Sequence, residues 1–273
     1  MYKKIGIGIT VLLIIFLIVV IINMDKGIGN LKVNFFKAGK ADAIFIYNNK
    51  FSVLIDTGES DLSDELISYI KDKNFDSIDY LIITHFDKDH VGSASEVVKR
   101  LDVKNVIHSN YPKDSEYYNK YIDALDKKNI TPIVPTSDMS VKLDDIEMII
   151  NPPDKIYSND PSNNSSLIVS LTYKNNKFLF MGDAKDDRIE DYLLTHNESF
   201  DVLKVPYHGR ELNSLDHLVS VVKPKYSVIT SGNKKQEAEE TLTTLSKYTS
   251  KYYLTRMGSV LITSDGENIN VEQ

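Results

Sequence analysis

One stretch limits what this chain can fold into more than any other. Residues 80–84 read Tyr-Leu-Ile-Ile-Thr, an apolar run of the kind shown by a strand buried on both faces. It runs straight into His85-Phe86-Asp87-Lys88-Asp89-His90, and then Val91-Gly92. Four potential metal ligands, His85, Asp87, Asp89 and His90, therefore stand at the C-terminal end of a buried strand. Clefts at such strand ends are where layered sheets bind ligands. The competing reading is a solvated polar turn. Two imidazoles and two carboxylates packed this tightly after an apolar strand favour a metal site, and His and carboxylate are ligands that zinc and manganese accept.

The chain has no cysteine, which leaves His and carboxylates as the available ligands. Disulfides, Cys-based zinc sites, a thiol nucleophile and a lipoprotein anchor are all excluded. Lys and Arg total 32 against 39 Asp and Glu, a net charge of −7. That balance carries no overall electrostatic footprint for tight binding to a long nucleic acid, although a local basic groove is compatible with it. At 42% hydrophobic and 26% charged, the composition is that of a globular protein.

The first residues differ from the rest. Ile5 to Ile22 carries no charge and no proline. As a helix it would span roughly 27 Å, close to the hydrocarbon thickness of a bilayer. Lys3 and Lys4 precede it, whereas Asp25 and Lys26 beyond it cancel. The expectation is a single-pass cell-membrane protein, with residues 1–30 as cytoplasmic stub, uncleaved signal anchor and short linker, and residues 31–273 as an extracytoplasmic domain. In this reading the membrane is a partner through the N-terminal helix, and no protein partner is inferable.

From Leu31 the pattern is of strands at Leu31 to Phe36, Ala43 to Tyr47 and Ser52 to Asp56, then a helix over Leu62 to Lys73 with apolar residues at helical spacing. After the Tyr80 to Thr84 strand come helices at Ser93 to Leu101 and Ser115 to Lys128, with a strand at Asn105 to His108 between them. Residues 130–161 are proline-rich and read as short strands and loops. A hairpin turns around Lys174 to Lys177. Helices at Arg188 to Thr195, Leu215 to Val222 and Glu237 to Lys247 then alternate with strands at Val202 to Val205, Tyr226 to Thr230 and Ser259 to Thr263. Two sheets covered by helices account for this order.

The His85 to His90 stretch resembles the His-x-His-x-Asp-His signature of the metallo-β-lactamase fold, with Asp87 in place of the second His. That variant is similar to the hydrolase domain of ComEC-type competence proteins. Other stretches agree in order. Val33 to Ala43 resembles the family's opening strand and Gly-Gln-Gly-Asp turn, with Lys40 and Ala41 as departures. Leu54-Ile55-Asp56-Thr57-Gly58, Asn164 to Leu171, Phe180-Met181-Gly182-Asp183-Ala184 and Leu203-Lys204-Val205-Pro206-Tyr207-His208-Gly209 match four later motifs, the last with Tyr207 replacing a His. The resemblance implies a four-layer αββα sandwich of mixed α/β class, with one or two divalent metals, Zn or Mn, at one edge. It implies ligand roles for His85, Asp87, Asp89, His90, Asp183 and His208, and for Asp56 a role in orienting a ligand.

On this count one metal takes Asp89, His90, Asp183 and His208. The other takes His85, Asp87 and a shared Asp183, and finds no third His near Asn164. Unequal sites are expected, the second weaker and richer in oxygen, which shifts preference toward manganese. The implied activity is a phosphodiesterase or nuclease type of hydrolysis by a metal-activated water, with Asp87 or Asp89 accepting the proton and a nucleic acid or other phosphodiester as substrate. A lactonase, thioesterase or β-lactamase on the same fold is the alternative, and a non-catalytic binding module a third reading. Tyr207 and Arg256 are candidate substrate contacts, as is Ser231-Gly232-Asn233. His108, His196 and His217 stand in no motif and read as structural or exposed.

Overall fold

The computed structural model describes residues 29–248 and 250–273. Among these residues no helix is long and apolar enough to cross a membrane. The single-pass, cell-membrane placement expected above is accordingly corrected. The 5–22 run on which it rested lies outside the described residues.

Two seven-stranded sheets face each other. The first contains β1 (Leu31–Phe35), β2 (Ala43–Tyr47), β3 (Ser52–Thr57), β4 (Ser77–Ile83) and β5 (Asp102–His108). The second contains β6 (Met139–Leu143), β7 (Ile146–Asn151), β8 (Ile168–Tyr173), β9 (Asn176–Phe180), β10 (Val202–Lys204), β11 (Tyr226–Ile229) and β12 (Lys251–Leu254). The last two strands, β13 (Val260–Ser264) and β14 (Ile269–Glu272), return to the first sheet beside β1, giving the order β14-β13-β1-β2-β3-β4-β5. The order in the second is β12-β11-β10-β9-β8-β7-β6. Each sheet begins antiparallel and ends parallel: β3, β4 and β5 run in parallel, as do β9 through β12.

Side-chain alternation explains the layering. In β2, Ile44 and Ile46 point inward against Met148, Val169, Leu171 and Phe180 of the facing sheet, while Ala43, Phe45 and Tyr47 point outward. The outward face is covered by helices Ser63–Asp72, Ala94–Arg100 and Glu116–Lys127. On the other side, Ile168, Leu179 and Leu203 lie under helices Asp186–Thr195, Leu215–Val222 and Glu239–Lys247. Strands buried on both faces have no polar alternation to show, which is why they read as continuous apolar runs. The helix Glu116–Lys127 starts where Ser115 Oγ accepts from Tyr118 N at 3.2 Å, an N-cap.

His108 ends β5, buried with its Nδ1 3.3 Å from the Tyr121 hydroxyl and its ring edge-on to Phe86. Burial pushes its pKa down to about 4. Because the unfolded imidazole takes a proton first as pH falls, the stability His108 contributes is complete above about 6.5 and is lost between there and about 4. Of the stability lost between pH 7 and pH 5, about 2 kcal/mol should belong to this residue. Urea titrations of wild type and His108→Gln at both pH values test this; parallel losses in the two proteins would refute it.

Candidate metal centre

The predicted metal ligands and Asp56 come at or just after the C-terminal ends of parallel strands. Asp56 is in β3, His85 to His90 follow β4, Asp183 follows β9, and His208 follows β10. The turn after β4 is pressed onto the turn after β3: a Cβ on Gly92 would lie 2.4 Å from Lys88 O and 2.7 Å from Gly58 O, so only glycine fits. Leu167 N bonds to Thr84 O at 3.0 Å and ties the β4 end to the opposite sheet.

Three imidazoles are oriented by partners behind them. Asp56 is fully buried and accepts from Thr84 N and Thr84 Oγ1, both at 2.7 Å, and its Oδ2 is 2.7 Å from His90 Nδ1. His208 Nδ1 is 3.1 Å from Thr230 O. A carboxylate and a carbonyl only accept, so both rings carry a proton on Nδ1 and turn Nε2 toward the centre. His85 Nδ1 lies 3.2 Å from Thr84 Oγ1 and 3.3 Å from Ser166 Oγ. His208 reaches its place through a strained turn in which both Tyr207 (φ 51°) and His208 (φ 53°) are left-handed. For non-glycine residues that costs of order 1 kcal/mol or more each, and such strain gathers at functional sites.

The atoms so aimed have no hydrogen-bond partner. His85 Nε2, His90 Nε2, His208 Nε2 and Asp183 Oδ1 are all buried and unpaired. Each would cost about 1–3 kcal/mol if nothing met it. They converge: ligand atoms of His85, His90 and Asp183 lie within 4.8 Å of one another, and so do those of Asp89, His90 and His208. Asp183 is between the two groups, 3.4 Å from His90 Nε2 and 3.0 Å from His208 Nε2. Burial alone would raise the Asp183 pKa, but His208 and His90 outweigh it and hold the carboxyl well below the usual range. Burial lowers the His90 pKa, yet Asp183 and Asp56 push it well above the usual histidine value. This is a negative field around unpaired nitrogens, and a divalent cation fits it.

Asp87 and Asp89 are the more accessible members. Lys40 Nζ is 2.6 Å from Asp89 Oδ2. Asp87 Oδ1 accepts from Lys113 at 2.5 Å and from Ser162, and lies 4.0 Å from His85 Nε2. Near the position where a third His would stand, Asn164 is turned away, its Nδ2 on Asn159 O and its Oδ1 on Lys185 N.

Other predicted residues fall elsewhere. Arg256 is clamped to buried Glu237 through Nε and Nη2 at 3.0–3.2 Å, so its guanidinium braces the end of β12. Tyr207 lies between two cations, Lys185 Nζ 4.8 Å from its ring and Arg210 5.2 Å. His196 stacks on Tyr192, and exposed His217 pairs with Glu190.

Two residues were not singled out from the sequence. Asp42 and Lys204 are buried against each other beneath the centre, and Lys204 Nζ also donates to Gly182 O at 2.8 Å. The signal for Lys204 was available: a lysine inside the apolar run Val202 to Val205. Burying that ammonium requires a carboxylate nearby.

The family described as Metallo-beta-lactamase superfamily matches residues 37–232. ComE operon protein 3 of Bacillus subtilis is 25% identical over 226 residues, covering 74% of this chain and 28% of that protein. Recombination protein 2 of Haemophilus influenzae is 24% identical over 199 residues, covering 71% and 23%. The chain thus spans about a quarter of the length of these curated relatives. Among solved structures, the metallo-beta-lactamase fold protein YhfI from Bacillus subtilis superposes with a TM-score of 0.59 at 11% identity, over 89% of this chain and all of that one. A mutant of the beta-hydroxylase CmlA superposes with a TM-score of 0.55 at 11% identity, over 86% and 54%. At such identities these two likenesses speak for the fold alone.

Proposed function

The chain belongs to the metallo-beta-lactamase superfamily, whose fold typically serves metal-dependent hydrolases, and from that premise we propose a phosphodiesterase of the nuclease type. The observation that carries the reading is the set of buried, unpaired ring nitrogens facing Asp183 and Asp89. Asp89, His90, Asp183 and His208 would hold one divalent cation, and His85, Asp87 and the shared Asp183 a second. Bound there, zinc or manganese supplies Lewis acidity toward water and toward phosphoryl oxygens.

The chain's own groups do the rest. Asp56 and Thr230 O fix the tautomers of His90 and His208. Asp87, a quarter exposed, keeps Oδ1 on Lys113 and Ser162 and leaves Oδ2 to take a proton from the attacking water. The oxygen-rich position at Asp87 suits manganese and a phosphate ester more than a His-rich zinc site would. The name of the second curated relative, a recombination protein, points the same way toward nucleic acid as the phosphodiester.

The test combines metal analysis with turnover on the full-length protein. Bound Zn and Mn are quantified by mass spectrometry, and hydrolysis of bis(p-nitrophenyl) phosphate and of single-stranded DNA is followed. The expected result is bound metal and turnover in wild type, with both lost in an Asp89→Ala, His90→Ala double variant. A wild type that takes up no metal on reconstitution, or that cleaves lactams or thioesters but no phosphodiester, would overturn the proposal.

A further inference from the structure

A cleft of about 380 Å³ opens beside Asp89, between the Gly39-Lys40 turn and the turn Gly232 to Lys235. Its lining carries Lys40, Lys88, Lys234 and Lys235 against two carboxylates, Glu59 and Asp89. In a chain of net charge −7 this is a local reversal of sign at the mouth of the candidate metal centre. The two turns are locked together. A Cβ on Gly232 would lie 2.7 Å from Lys40 N and 2.9 Å from Gly39 C, so close approach requires glycine. Gly232 and Lys235 exchange backbone hydrogen bonds at 3.1 Å each way, which closes the second turn.

The four lysines differ in their partners. Lys88 is paired with Glu59 at 3.1 Å, and Lys40 with Asp89 at 2.6 Å. Lys234 and Lys235 are exposed and, among the described residues, have no ion pair. Elsewhere on the surface many lysines face a carboxylate, as Lys104 does Asp79, Lys225 Asp201 and Lys247 Asp216. Lys234 and Lys235 thus place two adjacent ammonium groups without an ion pair, among the described residues, on a hydrogen-bonded turn that lines the cleft beside Asp89.

We propose that this cleft seats the phosphate backbone of a single-stranded nucleic acid, with Lys234 and Lys235 at its outer end and Lys40 beside the metal centre. The proposal rests on the phosphodiesterase reading and adds to it a substrate track. Lys40 holds the inner end: its ammonium lies 2.6 Å from Asp89 Oδ2, in the part of the cleft that adjoins the residues that would hold the metal. The lining contains no aromatic side chain on which a base could stack. Recognition therefore runs through phosphates and is indifferent to base sequence.

Binding of a twelve-nucleotide phosphorothioate single strand, which keeps the backbone charge and resists cleavage, is measured on the full-length protein at several salt concentrations. Lys234→Gln with Lys235→Gln should weaken binding about tenfold at low salt. It should also reduce the slope of log Kd against log salt by about 1.4, two phosphate contacts at ~0.7 each. A charge-matched control, Lys142→Gln with Lys251→Gln on exposed strand positions, should change neither. Equal behaviour of the two double variants overturns the track. A neutral methylphosphonate strand that binds as tightly as the charged one overturns it as well. Failure of the hydrolase reading is seen separately, as absence of bis(p-nitrophenyl) phosphate turnover in the wild type.

Discussion

Asp183→Ala is expected to strip both metal positions at once, whereas Asp87→Ala is expected to empty only the weaker. Asp183 lies between the two ligand groups, with one oxygen 3.4 Å from His90 Nε2 and the other 3.0 Å from His208 Nε2. It also belongs to the cluster containing His85. Removing it leaves each group short of a charged ligand. Asp87 serves only the His85 side, and its Oδ1 is already held by Lys113 and Ser162. The carboxylate of the second position is thus partly neutralised before any cation arrives, and Asn164 offers nothing in exchange. Metal content by mass spectrometry after gel filtration should therefore read near zero for Asp183→Ala and close to one equivalent for Asp87→Ala. Turnover of a phosphodiester should fall about a thousandfold in Asp183→Ala, since metal ions supply several kcal/mol of transition-state stabilisation and about 4 kcal/mol is three decades. Retention of two equivalents by Asp87→Ala would refute the inequality of the two positions.

What could be read in the chain beforehand depended on how local its cause was. Tyr80 to Thr84 and Ala43 to Tyr47 announce themselves because burial on both faces demands apolar side chains at every position. The ends of helices were legible to within a residue or two where a cap such as Ser115 marks them. The strands β6 and β7 were not resolved individually, because their outward residues, Ser140, Lys142 and Glu147, look like loop. The short strands β12 and β14 were missed for a related reason, being only four residues each with half-exposed side chains. At the site, residues of one motif were visible together, but Asp42 and Lys204 were not, because they lie 162 positions apart in number and meet only when the β1–β2 turn closes on β10. Arg256 looked like a phosphate contact only because Glu237, its partner at 3.0 Å, is invisible as a partner in sequence. The basic cleft was hidden by the net charge, which averages Lys234 and Lys235 with acidic residues far from them.

The pair of Asp42 and Lys204 leads to the second large effect: Lys204→Met should destabilise the metal-free protein by about 3–5 kcal/mol, the range for breaking a buried ion pair from one side. Lys204 is wholly buried and Asp42 is 1% exposed, so neither can turn to water. Burial pushes the Asp42 pKa up, and Lys204, followed by His208 and His90, outweighs this and holds it below the usual range. Without the ammonium, Asp42 must stay charged beside Asp183 or take a proton that its surroundings now favour. Asp42→Asn in the same chain removes that charge, so the double variant should recover most of the loss, and the coupling energy of the cycle should exceed 1 kcal/mol in magnitude. The cost is also geometric. Lys204 Nζ holds Gly182 O at 2.8 Å, and Gly182 is left-handed at φ 53°, the turn that delivers Asp183 to the centre. Metal affinity should therefore remain impaired in the double variant even where stability returns, because the tether to Gly182 is still missing. Urea unfolding of the four proteins of the cycle, with metal titration of each, separates the two effects. Additive losses in stability would mean that Lys204 and Asp42 act independently, and full recovery of metal affinity in the double variant would mean that the tether does not position Asp183.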